Sequence, residues 1–529
     1  MPDLHREKRL PPSNSEEHMR NQANGSKSRR IIILCILTAI LLVIWSLNRR
    51  RENSDVDISS NGSDSQTLVE RWQAKNQDRQ NPEIEQRLSL GEQILIGADN
   101  NPDKQLAVEQ FAAGNFTEAQ IKFAQSLKAN PNDPETLIYL NNSLAATDPE
   151  PLKIGVSVPI GGSLNVAKEI LRGVAQAQNE INKQGGIERD GFRKLVQVQI
   201  ANDDNNPEIA KQIAADFVAD PEIMAVVGHN SSSVSMAAAP IYQQGNLVMV
   251  SPTSVARELS QAGSYIFRTT PSTRVLAETI AQYAVDSRRS KVAVCLDSSE
   301  PASVSFQEEF SLSLFESGGE IISTSCDFAN EDFNPDEIPA KITADGAEAL
   351  LLIPSVNKIN QALDVAKATD NRLPLLGNDS MYTYETLDVG RGDIKGLVVP
   401  AAWHPDLTAT SSFNKNALEL WGMAGSWRTA TAYDATKVVL LGLNSATTRQ
   451  ELQQTLVNSG FAIQGATGKV AFRPSGDRQT REAFLIKANP GKASGTGYDF
   501  APIAPDSQSK KPVAPTEKNG STPKTGARL

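Results

Sequence analysis

A run of small polar residues, Gly228, His229, Asn230, Ser231, Ser232 and Ser233, lies between the apolar stretch IMAVV and a segment of helical character beginning near Val234. A helix start leaves backbone N–H groups without intrahelical partners at the positive end of the helix dipole, so this loop is built to hold an anion. Serine hydroxyls add donors, and a carboxylate suits the set. The competing role for each serine is a helix cap, accepting a bond from the first turn. A second polar loop, Ser251 to Val255, follows the next apolar stretch and offers backbone carbonyls with the hydroxyls of Thr253 and Ser254.

Little else in the chain suggests covalent chemistry. His5 and His18 fall in a polar tail, and His229 and His404 in isolated loop positions, with no His pair at ligand spacing and no nucleophile–base pair. There is no GxSxG elbow, P-loop or metal cluster, and GRGD at Gly390 to Asp393 reads as a surface turn. The expectation is a protein that is not an enzyme and carries no cofactor or metal. A net charge of -10, with Lys and Arg spread among carboxylates, excludes a nucleic-acid partner, which needs a concentrated basic face.

The elements that must position these loops follow an α/β rhythm from Leu152 to about Phe500. LKIGVSV, LVQVQIA, IMAVVG, NLVMVS, KVAVCLD, EIISTSC, ALLLIP, LPLLG and KGLVVP read as strands, alternating with helices such as Val166 to Lys183, Glu208 to Ala219 and Thr273 to Asp286. Short, continuously apolar strands between amphipathic helices predict parallel sheet covered on both faces. About 350 residues is too many for one such unit and predicts two doubly wound lobes. Cys295 and Cys326 lie near two strand ends; their spacing leaves open either a disulfide, if the strands are neighbours in an oxidising compartment, or two buried thiols. Cys35 stands apart in an apolar run.

That run, IIILCILTAILLVIWSL at 31–47, is flanked by Arg29 and Arg30 and by Arg49, Arg50 and Arg51. It predicts a single-pass, uncleaved membrane anchor. Basic residues in 1–30 place the N-terminus in the cytoplasm, hence the inner membrane and a chain whose bulk lies in the periplasm or outside the cell. A polar linker spans 48–83. In 84–146 the apolar residues recur at helical spacing, and Ala107, Phe111, Gly114, Phe116, Ala119, Phe123, Ala124, Leu127 and Pro131 resemble one tetratricopeptide-type helix pair. It serves either as a stalk or as a docking surface. The Pro-, Ser- and Lys-rich residues 501–529 read as a disordered tail.

Together these residues resemble type I periplasmic binding proteins of the leucine-binding family, receptors of ABC importers for branched-chain amino acids and amides. The order of motifs carries the resemblance: IGVSVPIGG, NEINKQGGI, VVGHNSSSVSMAAAPIYQQGNLVMVSPTSVARELSQAGSYIFRTTPS, TAYDA at Thr431 to Ala435 and GATGKVAFRPSGDR from Gly465 to Arg478. The family implies two lobes around a ligand cleft that closes on a hinge. It implies that Ser231, Ser232 and Ser233 receive the ligand's carboxylate, with Ser232 at the contacting position. Thr253 and Ser254 lie where a member holds the ammonium, and Asp379 in LLGNDS matches an acid that pairs with it; the competing role of Asp379 is a turn after a strand.

This sequence departs from the pattern at four places. Val255 stands where a binding threonine is expected, and Ala302, Ser355 and Val166 stand where aromatics are. Tyr382 or Tyr384 offers an aromatic wall in their place, with core or surface packing as the competing and favoured role of each. The expected function is a membrane-anchored solute-binding protein that captures an amino acid or related amide or amine for an ABC permease, with a larger or more polar ligand, such as a peptide fragment or polyamine, fitting the departures. The alternative is an envelope sensor or scaffold that uses the binding fold and helical repeat to capture proteins.

Overall fold

The computed structural model describes residues 82–503 apart from 190, 323–325, 409–410 and 481. The expected anchor at 31–47, the segment 1–30, nearly all of the linker and the chain beyond 503 lie outside the described residues. Among those described, no helix is long and apolar enough to cross a membrane.

The first lobe is built on a six-stranded sheet of β1 (Leu88–Ser89), β2 (Leu152–Val158), β5 (Val196–Asn202), β6 (Ile223–Val227), β7 (Val248–Ser251) and β8 (Ile266–Arg268), in the order β1-β5-β2-β6-β7-β8. Two short hairpins, β3 (Ile187–Arg189) with β4 (Phe192–Lys194) and β14 (Ile463–Gly465) with β15 (Gly468–Val470), decorate it. All seven residues of β2 are buried, as expected of a central strand covered on both faces. The second lobe's sheet runs β10 (Glu320–Ile322), β9 (Lys291–Leu296), β11 (Ala349–Ile353), β12 (Leu375–Gly377), β13 (Val398–Ala401), β16 (Phe484–Pro490) and β17 (Tyr498–Pro502).

Every apolar run read as a strand contains one, EIISTSC over Glu320–Ile322 alone among its described residues, and the sheets are parallel where those runs pair. Each sheet is mixed at one edge, however: β1 runs antiparallel to β5, and β16 and β17 run antiparallel beyond β13. In β16 buried and half-exposed positions alternate, so it lacks the continuous apolar signal of the central strands. The boundary set for the tail also shifts, because Ala501 and Pro502 pair with Lys487 and Ile486 inside the sheet.

The chain crosses between lobes three times. Helix Thr273–Asp286, after β8, packs on β13 of the second sheet. After β13 the chain returns, and helix Trp427–Gly442 packs along helix Leu164–Lys183 of the first lobe. It then passes into β16. Cys295 in β9 and Cys326 are joined by a disulfide, so of the two alternatives left open by spacing the bonded one is found.

The segment 84–146 contains the helix pair Pro102–Ala112 and Phe116–Ala129, with Ala107, Phe111, Ala119 and Phe123 buried between. It is neither a free stalk nor helical throughout. Leu88–Ser89 joins the first sheet, and a third helix, Pro134–Ala145, is buried against the first lobe. The module has an ionic centre as well: the fully buried Lys104 ammonium meets Asp133 at 2.8 Å and Glu135 at 2.7 Å.

Candidate functional site

The serine loop leaves β6 at Val227 and enters helix Ser232–Gln244. Its floor is a buried polar network: His229 Nδ1 lies 2.7 Å from Asp203 Oδ2 and its Nε2 3.1 Å from the Tyr242 hydroxyl, while Ser157 Oγ donates to the same Asp203 oxygen at 2.9 Å. His229 is therefore part of the loop's support, fully enclosed. A buried, mutually satisfied network of this kind fixes the loop above it in one geometry.

The three serines divide their work. Ser231 is the helix cap, its Oγ accepting from Val234 N at 3.3 Å. Ser232 is 2% exposed and its Oγ accepts from Ala256 N at 3.1 Å, tying the first loop to the second. Ser233 faces the second lobe, where its N–H and hydroxyl donate to the two oxygens of Glu300 at 3.0 and 2.7 Å. In the second loop Thr253 Oγ1 donates to Asn230 O at 2.7 Å, whereas the Ser254 hydroxyl turns inward, 3.0 Å from Ser231 O and 2.7 Å from Ser235 Oγ. Ser254 thus braces the loops and does not replace the missing threonine. Val255 lines the cleft in its stead.

The cleft between the lobes takes Ser231, Ser232, Thr253 and Val255 from the first lobe's strand ends, Glu300, Ala302, Ser355 and Asp379 from the second, and Arg428 from the returning helix. Asp379 begins the short turn after β12. Only 5% of it is exposed, and its Oδ1 has no hydrogen-bond partner. Burial raises this carboxyl to about 6, with the positive charge of Arg428 opposing the shift. Burial also raises Glu300, partly offset by its bonds to Ser233.

Ser232 and Asp379 therefore face one cleft from opposite walls, as the family resemblance implies. Three residues of this site escaped sequence reading. Glu300 is a carboxylate beginning a helix, a common surface position, and gave no signal. Trp427 and Arg428 open the helix that carries TAYDA; the Arg428 guanidinium lies 4.5 Å from the Trp427 ring centre, and both donate to the Tyr382 carbonyl, at 3.0 Å from Arg428 and 3.2 Å from Trp427.

Of the two roles open to the tyrosines, packing is the one found. Tyr382 stacks on His404 and meets Phe500 edge-on within its own lobe, and Tyr384 is half exposed. Ala302 and Ser355 lie at the cleft as small side chains, and Val166 is buried in the first lobe's core. Among the described residues, the one aromatic lining the cleft is Trp427.

Comparison with known proteins places this architecture. Residues 151–495 match the periplasmic binding protein family. A Leu/Ile/Val-binding protein of Rhizobium johnstonii is 23% identical over 352 residues, covering 64% of this chain and 92% of the relative. The leucine-specific-binding protein of Salmonella typhimurium is 35% identical over 127 residues, 24% of this chain and 33% of the relative. Among solved structures, an ABC transporter substrate-binding protein from Desulfitobacterium hafniense in complex with Leu superposes with a TM-score of 0.56 at 23% identity, covering 66% of this chain and all of that one. A leucine-binding protein from Thermotoga maritima superposes at 0.58 with 20% identity, covering 67% of this chain and 99% of that one.

Proposed function

The chain belongs to the periplasmic binding protein family, and from that premise we propose that it is a solute receptor that captures an amino acid or a related small amide or amine between its lobes. The observation that carries this reading is the buried, partnerless Asp379 Oδ1 facing the serine loop across a cleft lined from both lobes. A buried polar atom without a partner is costly, and an incoming donor removes the cost. Because both walls touch the ligand only when the lobes are together, binding favours the closed form, which a permease of the ABC importer type then recognises. The names of its relatives support the ligand class. In this reading Ser231, Ser232, Ser233, Thr253 and Asp379 contact or position the ligand, Ser254 braces them, and residues 31–47 hold the receptor in the inner membrane with its lobes outside.

Titration calorimetry and thermal-shift measurements on the full chain in mild detergent, against amino acids, amides and amines, test the reading. A saturable, stabilising ligand is expected; silence across the panel removes it. Carbonate extraction of membranes tests the anchor, which should keep the chain in the pellet. A second reading, an envelope scaffold that captures proteins, is favoured by one observation: Ser233 and Glu300 already bridge the lobes.

A further inference from the structure

The seat that would receive a ligand's carboxylate is filled by the protein itself. A helix start attracts an anion through its free N–H groups and its dipole. Here the anion is Glu300, whose two oxygens accept the Ser233 N–H at 3.0 Å and the Ser233 hydroxyl at 2.7 Å, while Ser231 Oγ lies 2.9 Å from that hydroxyl. Glu300 does not reach there on a loose tether. It immediately precedes helix Pro301–Glu316, its own N–H donates to Asp297 O at 3.2 Å, and only 9% of it is exposed.

A zwitterionic amino acid placed with its carboxylate at the serine loop would set it against the largely buried Glu300, where like charges repel. The charged groups lining the cleft are Glu300, Asp379 and Arg428, two negative and one positive. One terminal nitrogen of Arg428 is engaged, with Tyr382 O at 3.0 Å and Glu169 Oε2 at 3.4 Å, while its buried Nε lacks a partner. Two buried atoms at the cleft thus lack partners, Asp379 Oδ1 and Arg428 Nε, and the net charge of its lining, two carboxylates against one guanidinium, favours a cation.

We propose that Glu300 is a specificity-determining residue which, by occupying the anion seat on Ser233, makes this cleft select amines or guanidines that carry no carboxylate, the cationic head being held by Asp379. This rests on the solute-capture reading of the same cleft and narrows its ligand class. The side chains at Ala302 and Ser355, between the two carboxylates in the lining, are small. Glu300 also excludes competitors, because a wrong ligand must break two hydrogen bonds and face a like charge.

The test is calorimetry on the full chain, wild type and the variants E300A and E300Q, with 1,4-diaminobutane, agmatine and butylamine on one side and leucine, glutamine and glutamate on the other. Wild type is expected to bind at least one amine and to bind the amino acids at least about tenfold more weakly. Vacating the seat in E300A should weaken the amine about tenfold and bring leucine or glutamine into measurable range; E300Q, which keeps the shape and drops the charge, should move both in the same direction and serves if E300A does not fold. Wild-type protein that binds an amino acid as tightly as any amine, or a preference unmoved by both variants, overturns the proposal and leaves solute capture standing. Folded wild type and variants that bind neither class overturn the proposal and solute capture together.

Discussion

Asn142, on helix Pro134–Ala145, uses its side-chain amide to make both hydrogen bonds that a neighbouring strand would make to Val198. Its Oδ1 accepts from Val198 N at 2.8 Å and its Nδ2 donates to Val198 O at 2.7 Å. Asn182 does the same for Val196, at 2.8 and 3.0 Å. β1 covers only Ile200 and Ala201 of this outer strand, so the two asparagines seal the rest of its edge. An unsealed sheet edge invites pairing with other chains. The helical module is therefore a structural part of the first lobe.

Replacing Asn142 by Leu keeps the volume and leaves one buried N–H and one buried carbonyl without partners. The expected cost is about 2–5 kcal/mol, seen as a lowered midpoint in chemical denaturation. Deleting 84–146 should give aggregated protein in size-exclusion chromatography. A soluble, monomeric deletion product would show that the edge needs no cover.

Lys104 sits between two buried carboxylates, and removing it strands them. K104M should cost about 3–5 kcal/mol. The double variant K104M/E135L should recover part of that loss, because one of the two orphaned charges goes with it. Additive losses in a double-mutant cycle would mean that the pair is not coupled.

Asp379 titrates at about 6 against an ordinary 3.8, raised by burial and opposed by Arg428. A raised folded-state value means that the folded protein holds a proton the unfolded chain has lost, so this contribution to stability is full below about pH 4 and gone above about pH 6. Between pH 4 and 8 wild type should lose about 2 kcal/mol relative to D379N. Unfolding curves of the two proteins that stay parallel across this range would contradict the environment described. The same ionisation governs ligand affinity: an amine held by Asp379 should bind up to about tenfold more weakly per unit of pH below 6, and D379N should abolish that dependence.

The Cys295–Cys326 disulfide closes a loop 31 residues apart in sequence and ties β9 to the segment that follows β10. Replacing both cysteines by alanine should lower stability by about 2–4 kcal/mol. Mass spectrometry of non-reduced peptides should find the two linked. Free thiols at both positions in protein recovered from the envelope would contradict the assignment.

Much of the fold was written locally. Runs such as ALLLI and IMAVV are apolar at every position because helices cover both faces of a parallel sheet, and that requirement leaves its mark residue by residue. The serine loop was legible for the same reason: a helix start and its capping hydroxyls are neighbours in sequence. β16 and β17 were not, since half-buried edge strands lack a continuous apolar signal. The disulfide was undecided because spacing carries no information on whether two strands lie side by side, which β9, β10 and their pairing settle.

The sequence by itself determined a two-lobed α/β protein with a serine loop at a helix start. Tertiary structure decided which carboxylate meets that loop, because Glu300 lies 67 residues from Ser233 and on the other lobe. It likewise decided that Asp379 is left unpaired beside Arg428 and that Asn142 finishes the edge of a sheet. Periodicity reports which face of an element is buried; it cannot report which distant charge or amide arrives there, since that depends on how separately folded elements are packed.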